Sequence, residues 1–250
     1  MATVILVRHG RTSANVGGVL AGRTPGVRLD ETGLQQAERT AARLADVGLA
    51  ALVSSPLERC RQTAQAIARA QRASGREVRL ATDKGLTECD YGQWQGRPLK
   101  ELAKEPLWKV VQAQPSAATF PGGESLGAMQ ARVVDAVRRR DAALENKHGP
   151  GAVWVAVSHG DLVKALLADA LGMHLDLFQR LHVDPASVSV VRYTASRPYV
   201  LATNTHEGDL SWLSPPAKKA GKKAAKVHSR SGARSSDAVV GGGAGPSASA

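Results

Sequence analysis

The stretch "VILVRHGRTSAN", Val4 to Asn15, decides the reading of this chain. Four apolar residues run straight into Arg8, His9 and Gly10. A short apolar run of this kind is a buried strand, and glycine lets the chain turn sharply at its end. "VWVAVSHGD", Val153 to Asp161, repeats the arrangement around His159. Between these two runs, strand-like and helix-like patterns alternate. Strands are expected at Thr3–Val7, Ala51–Val53, Val78–Ala81 and Val153–Val157. Helices are expected at Leu34–Val47, from Ser55 to about Ala73, at Glu124–Asn146 and at Leu162–Leu171. Leu99–Gln112 reads as a helix broken by Pro106, and Leu175–Leu181 as a short one. Val188–Tyr193 and Tyr199–Thr203 read as a closing antiparallel hairpin.

This order predicts an α/β three-layer sandwich, a mostly parallel central sheet with helices on both faces. Two helix starts carry explicit signals. Thr32 with Gln35 forms a capping-box pattern, and Ser55-Pro56-Leu57-Glu58 offers a cap, a first-turn proline and a box partner. In parallel sheets ligands bind beyond the carboxyl ends of the strands. His9, Ser54-Ser55 and His159 all follow such ends. Neighbouring strands lie about 5 Å apart, so these side chains can converge on one small ligand.

The bulk numbers set bounds. The chain has 250 residues, 43% hydrophobic and 22% charged, enough for one well-cored domain and a tail. No run approaches the roughly 20 apolar residues of a membrane span, and no signal peptide is expected, so a cytoplasmic location is. The two cysteines, Cys60 and Cys89, lack metal-ligand spacing and are expected to be free thiols. Of the net charge of +11, a surplus of six falls between Ser214 and Ala250, where seven Lys/Arg face one Asp. That segment is Ala, Gly, Ser, Pro and Lys with almost no large apolar residue. It is expected to be disordered, giving a folded domain over 1–213 and a basic tail over 214–250. Such a tail suits either weak nucleic-acid or polyanion contact or simple solubility.

Each candidate residue carries a plain reading beside a chemical one. His9 is either a strand-end histidine bonded to a carbonyl or a neutral nucleophile beside Arg8, whose planar fork matches phosphate oxygens. Arg59, in "SSPLERCRQTA", is either a solvated helix arginine or an anion ligand in a first helical turn. Glu88, in "LTECDYGQWQG", is either a loop carboxylate or a proton donor to a leaving alkoxide. His159 is either a capped strand end or a site residue. A Ser158-His159-Asp161 triad is sterically poor, and a zinc site on the two histidines would need Glu88 or Asp161 as a further ligand.

Taken together, "LVRHGRTSAN", "SSPLERCRQTA", "LTECDYGQWQG", "PGGES" and "VSHGD" resemble, in order and spacing, the histidine phosphatase superfamily in its phosphoglycerate-mutase-like branch. The resemblance runs from about Thr3 to Leu210. It implies that His9 accepts the phosphoryl group and that Glu88 is the proton donor. Arg8, Arg59 and His159 would form the phosphate pocket, with Asn15 and Gly160 also binding substrate. It implies no metal and no cofactor. The expected activity is a phosphomonoester hydrolase on a small phosphorylated metabolite, with a phosphomutase using the same phosphohistidine as the alternative. Polyanion binding through the tail is a second alternative. Three departures favour the phosphatase, as in the family's bacterial broad-specificity members. Arg11 stands where mutases commonly carry an acid, Cys89 to Phe120 is short for a mutase lid, and Asp161 replaces a small or amide residue. Arg23, Arg28, Cys89 to Phe120 and the Gly122–Ser125 loop are expected to set specificity.

Overall fold

A computed structural model describes residues 2–213. The expected basic tail, 214–250, lies outside the described residues. In chain order the elements are β1 (Thr3–Arg8), the one-turn α1 (Ser13–Val16), α2 (Glu31–Leu44), β2 (Ala51–Ser54), α3 (Glu58–Ala73), β3 (Leu80–Thr82), α4 (Leu99–Leu102), α5 (Pro106–Ala113), α6 (Leu126–His148), β4 (Val153–Ser158), α7 (Gly160–Ala170), β5 (Val188–Tyr193) and β6 (Pro198–Thr205). The six strands form one sheet in the order β3-β2-β4-β1-β5-β6. β1 with β4, β2 with β4 and β2 with β3 pair in parallel, while β5 and β6 close the sheet antiparallel.

Alternation along the strands supplies both helix layers. Val4, Leu6, Trp154 and Ala156 pack against α6 and α7 through Met129, Val133, Leu162 and Leu166. Ile5, Val7, Val155 and Val157 face the other way, onto α2 and α3 through Ala41, Leu44, Ala64 and Ile67. β1 and β4 are thus apolar over Val4–Val7 and Val153–Val157 because both their faces are covered. Each large aliphatic side chain so buried contributes about 1.5–3 kcal/mol. Trp154 is buried too, and its indole N–H donates to Asp141 at 2.9 Å.

The helix starts differ from expectation. Asp30, not Thr32, caps α2, its Oδ1 accepting from Gly33 N at 2.7 Å. Thr32 therefore sits inside the first turn. α3 begins at Glu58 and has no side-chain cap. The Ser55 hydroxyl lies 2.8 Å from His159 Nε2 and only 3.4 Å from Leu57 N, so its main partner is the histidine rather than the helix. Glu58 turns to Gly26 N instead of closing a box. The long helix starts two residues late, at Leu126, capped by Ser125.

Candidate active site

Register builds the site. Arg8 stands opposite Ser158 in the β1–β4 ladder, and His9 N donates to Ser158 O at 3.0 Å. His9 and His159 therefore leave the sheet side by side, their rings 5.3 Å apart. The turn after His9 needs glycine. A Cβ on Gly10 would come closer than 3.0 Å to Gly33 O at the start of α2.

His9 is buried, with Nδ1 2.7 Å from Gly10 O. A carbonyl only accepts, so Nδ1 carries the hydrogen and Nε2 keeps its lone pair. Arg59 Nε donates to that Nε2 at 3.3 Å. Burial first, then Arg59 and Arg8, hold the His9 pKa well below the usual imidazole value. The ring is a neutral base with its free nitrogen in the cleft.

Arg59 is 1% exposed. Its Nη2 donates to Gly22 O at 2.7 Å and lies 3.2 Å from His159 Nδ1, while its Nη1 is buried without a partner. Arg8 Nη1 donates to Val183 O at 2.7 Å, and Arg8 Nε is likewise buried and unpartnered. Buried guanidinium N–H groups left unpaired are costly, and two of them flanking one cleft suit an anionic partner. Gly160 lines the same cleft at the start of α7, where the helix dipole is positive. Asn15 lines it as well. Its Oδ1 is committed to Thr12 N and Oγ1, so its amide hydrogens are what remain for a ligand.

His159 takes a different place from its sequence neighbours. It is fully buried behind the cleft and is not part of its wall. Since Arg59 can only donate, Nδ1 accepts and Nε2–H donates to Ser55 Oγ at 2.8 Å. His159 is pushed well below the usual value by burial and then by Arg59. It is a neutral brace for Arg59.

Glu88 lines the cleft, its Oε1 accepting from Cys89 N at 2.9 Å and its Oε2 lying 3.6 Å from His159 Nδ1. Burial, then the nearby Asp161 charge, raises its pKa to about 7. A carboxyl group so poised can give a proton and take one back at neutral pH. Asp161, also in the wall, accepts from Tyr91 OH at 2.7 Å. The cleft holds about 170 Å³.

Some expected residues serve elsewhere. Arg23 is spent on Glu88 O (2.8 Å), Asp90 (3.3 Å) and Glu124 (2.9 Å). Arg28 is exposed and lines a separate hollow beside Glu58. Arg11 is paired with Asp30 at 2.8 Å, outside the cleft. His182 and His206 both bind Asp184 at the surface. Glu124 works at one remove, accepting from Arg23, Arg132 and Asp90 N. Arg132, which sequence reasoning missed, also donates to Gly85 O and Thr87 O and so fixes the segment leading into Glu88. Among the described residues no group of three His, Cys, Asp or Glu is placed to hold a metal. Both site histidines turn a ring nitrogen towards the Arg59 cation. Cys60 and Cys89 are free and buried.

Known proteins match this chain over most of its described residues. The family model of the histidine phosphatase superfamily (branch 1) matches residues 4–206. A bifunctional protein of Mycobacterium tuberculosis is 36% identical over 195 residues, 77% of this chain and 50% of that protein. The chain thus spans about half the length of the mycobacterial relatives it matches. A Yersinia pestis protein named "Probable phosphoglycerate mutase GpmB" is 32% identical over 223 residues, covering 87% of this chain and 97% of that one. The solved structure of Bacillus stearothermophilus YhfR aligns with a TM-score of 0.72 at 27% identity, over 85% of this chain and 100% of that one. The mycobacterial glucosyl-3-phosphoglycerate phosphatase, solved with VO3, gives a TM-score of 0.71 at 26% identity, over 81% and 98%.

Proposed function

The chain belongs to the histidine phosphatase superfamily, and from that premise we propose that it is a phosphomonoester hydrolase acting on a small phosphorylated metabolite through a phosphohistidine at His9. The observation that carries this reading is the pair of buried, unpartnered guanidinium nitrogens, Arg8 Nε and Arg59 Nη1, beside a neutral His9 Nε2. The substrate's phosphate docks on Arg8, Arg59, the Asn15 amide and the start of α7. His9 Nε2 attacks phosphorus in line, the N–P bond forms and the P–O bond to the alcohol breaks. Glu88 gives its proton to the departing oxygen. Water then attacks the phosphohistidine, Glu88 takes its proton, the N–P bond breaks and inorganic phosphate leaves. The two arginines balance charge on the equatorial oxygens throughout, the main lever for this chemistry. Because these cations are the protein's own, turnover is expected to survive a chelator. Two buried free thiols suit a reducing cytoplasm.

The hydrolase is favoured over a mutase by Asp161 in the cleft wall. A second anionic group on a bisphosphorylated intermediate would meet that carboxylate. The test is a labelled phosphate monoester quenched in alkali and in acid. The wild type is expected to retain label in alkali and lose it in acid, and to release inorganic phosphate rather than an isomer. His9→Ala is expected to retain none. Label surviving in His9→Ala would overturn the assignment.

A further inference from the structure

The cleft's lining is of two unlike kinds, the polar groups proposed to hold the phosphate and the apolar residues Val19, Leu20, Ala21 and Leu99. This apolar wall is built rather than loose. Val19 bridges to Pro98, Leu20 N donates to Arg97 O at 3.0 Å, and Leu99 N donates to Gly18 O at 2.8 Å. Leu99 is nevertheless 37% exposed. The charged residues lining the cleft are two arginines and two carboxyl groups, Arg8, Arg59, Glu88 and Asp161.

Both arginines are committed to the phosphate, so a carboxylate elsewhere on a substrate has no cation in the wall to meet. Lys100, next to Leu99, is exposed and does not line the cleft, and three other basic residues outside it already have partners. Arg23 holds Asp90 and Glu124, Arg97 holds Glu105, and Arg11 holds Asp30. Lys164 stands 4.0 Å from Asp161 Oδ1 with its Nζ on Gln179, and it does not line the cleft. Asp161 repels an anion but accepts from a hydroxyl, as it already does from Tyr91. Hydrocarbon laid against Leu99 and Leu20 would leave water.

Resting on the phosphatase reading above, we propose that the substrate is the phosphate monoester of a neutral alcohol with a hydrocarbon portion. Asp161 excludes carboxylated phosphates and Leu99 recognises the apolar part. Like-charge juxtaposition and apolar pocket contacts are the two discriminating terms.

Three probes separate them on the full chain. Glycerol 3-phosphate and 3-phosphoglycerate differ by a hydroxymethyl against a carboxylate. n-Hexyl phosphate adds hydrocarbon. Glycerol 3-phosphate is expected to exceed 3-phosphoglycerate in kcat/KM by about tenfold or more, and n-hexyl phosphate to exceed glycerol 3-phosphate by about tenfold. Asp161→Asn should narrow the first ratio and Leu99→Ser the second. Ratios within one preparation are insensitive to the fraction folded. Wild-type hydrolysis of 3-phosphoglycerate as fast as glycerol 3-phosphate overturns this inference and leaves the phosphatase reading standing. Hydrolysis of none of the three, with no phosphoenzyme, overturns the phosphatase reading and this inference with it.

Discussion

Arg59 Nε donates to His9 Nε2 at 3.3 Å, so the lone pair proposed to attack phosphorus is held by the guanidinium that flanks it. The same arginine reaches Gly22 O and His159 Nδ1 with Nη2 and keeps Nη1 unpartnered. One planar group thus contacts the proposed nucleophile and keeps an N–H free for the proposed phosphate.

Arg59→Lys tests that double duty. Lysine keeps the charge but loses the fork, so it cannot brace against His159 and Gly22 while serving an oxygen. The expected result is a fall in kcat/KM of about 10²–10³-fold, the cost of removing one preorganised donor to developing charge. Steady-state kinetics, with circular dichroism to confirm folding, decides it. A loss under about fivefold would mean that charge alone suffices.

The Glu88 carboxyl, raised to about 7 from an ordinary 4.5, ties both rate and stability to pH. Alkyl phosphates need its proton, so their turnover should fall as pH rises through about 7. Aryl phosphates with good leaving groups should fall less. For stability, the folded state keeps between pH 4.5 and 7 a proton that the unfolded chain has released. Stability is therefore fully present below about 4.5 and is lost as pH rises towards about 7, by at most about 3 kcal/mol. Glu88→Gln removes this dependence. Urea unfolding at pH 5 and pH 8 should show the variant gaining on the wild type at the higher pH. Parallel curves at both values would contradict the raised pKa.

Gly10→Ala should destabilise the fold by about 1–3 kcal/mol, the usual cost of overpacking, because the new methyl meets the Gly33 carbonyl. Gly48→Ala is the control, since nothing lies within 4 Å of a Cβ there. It should stay within about 0.5 kcal/mol. Denaturant midpoints at constant slope give both numbers. A neutral Gly10→Ala would show that the β1 turn and the start of α2 can move apart.

The strand ends were legible because apolar runs that stop at Arg-His-Gly and Ser-His-Gly declare both burial and a turn. Parallel pairing then makes the two histidines neighbours. The helix starts were less legible. Asp30 and Thr32 both offer an oxygen to α2, and sequence does not say which amide is free. Ser55 looked like a cap because its real partner, His159, is more than a hundred residues away. Arg132 was invisible for a like reason, since besides Glu124 its acceptors are carbonyls of residues 85 and 87, distant in sequence. Arg23 and Arg28 looked alike in sequence. One proved to be spent on oxygens of Glu88, Asp90 and Glu124 and the other to face solvent, a difference made by where the fold places those acceptors.

Glu124 gathers Arg23, Arg132 and the Asp90 amide, and through them steadies the loop that carries Glu88. His9, by contrast, hangs from the middle of the sheet, between β4 and β5. The two halves of the chemistry are mounted on different supports. The loop's polar knot can therefore be altered without touching the sheet that carries His9. On the proposed reading, a change in that loop would retune the proton donor while leaving the sheet's grip on phosphate in place.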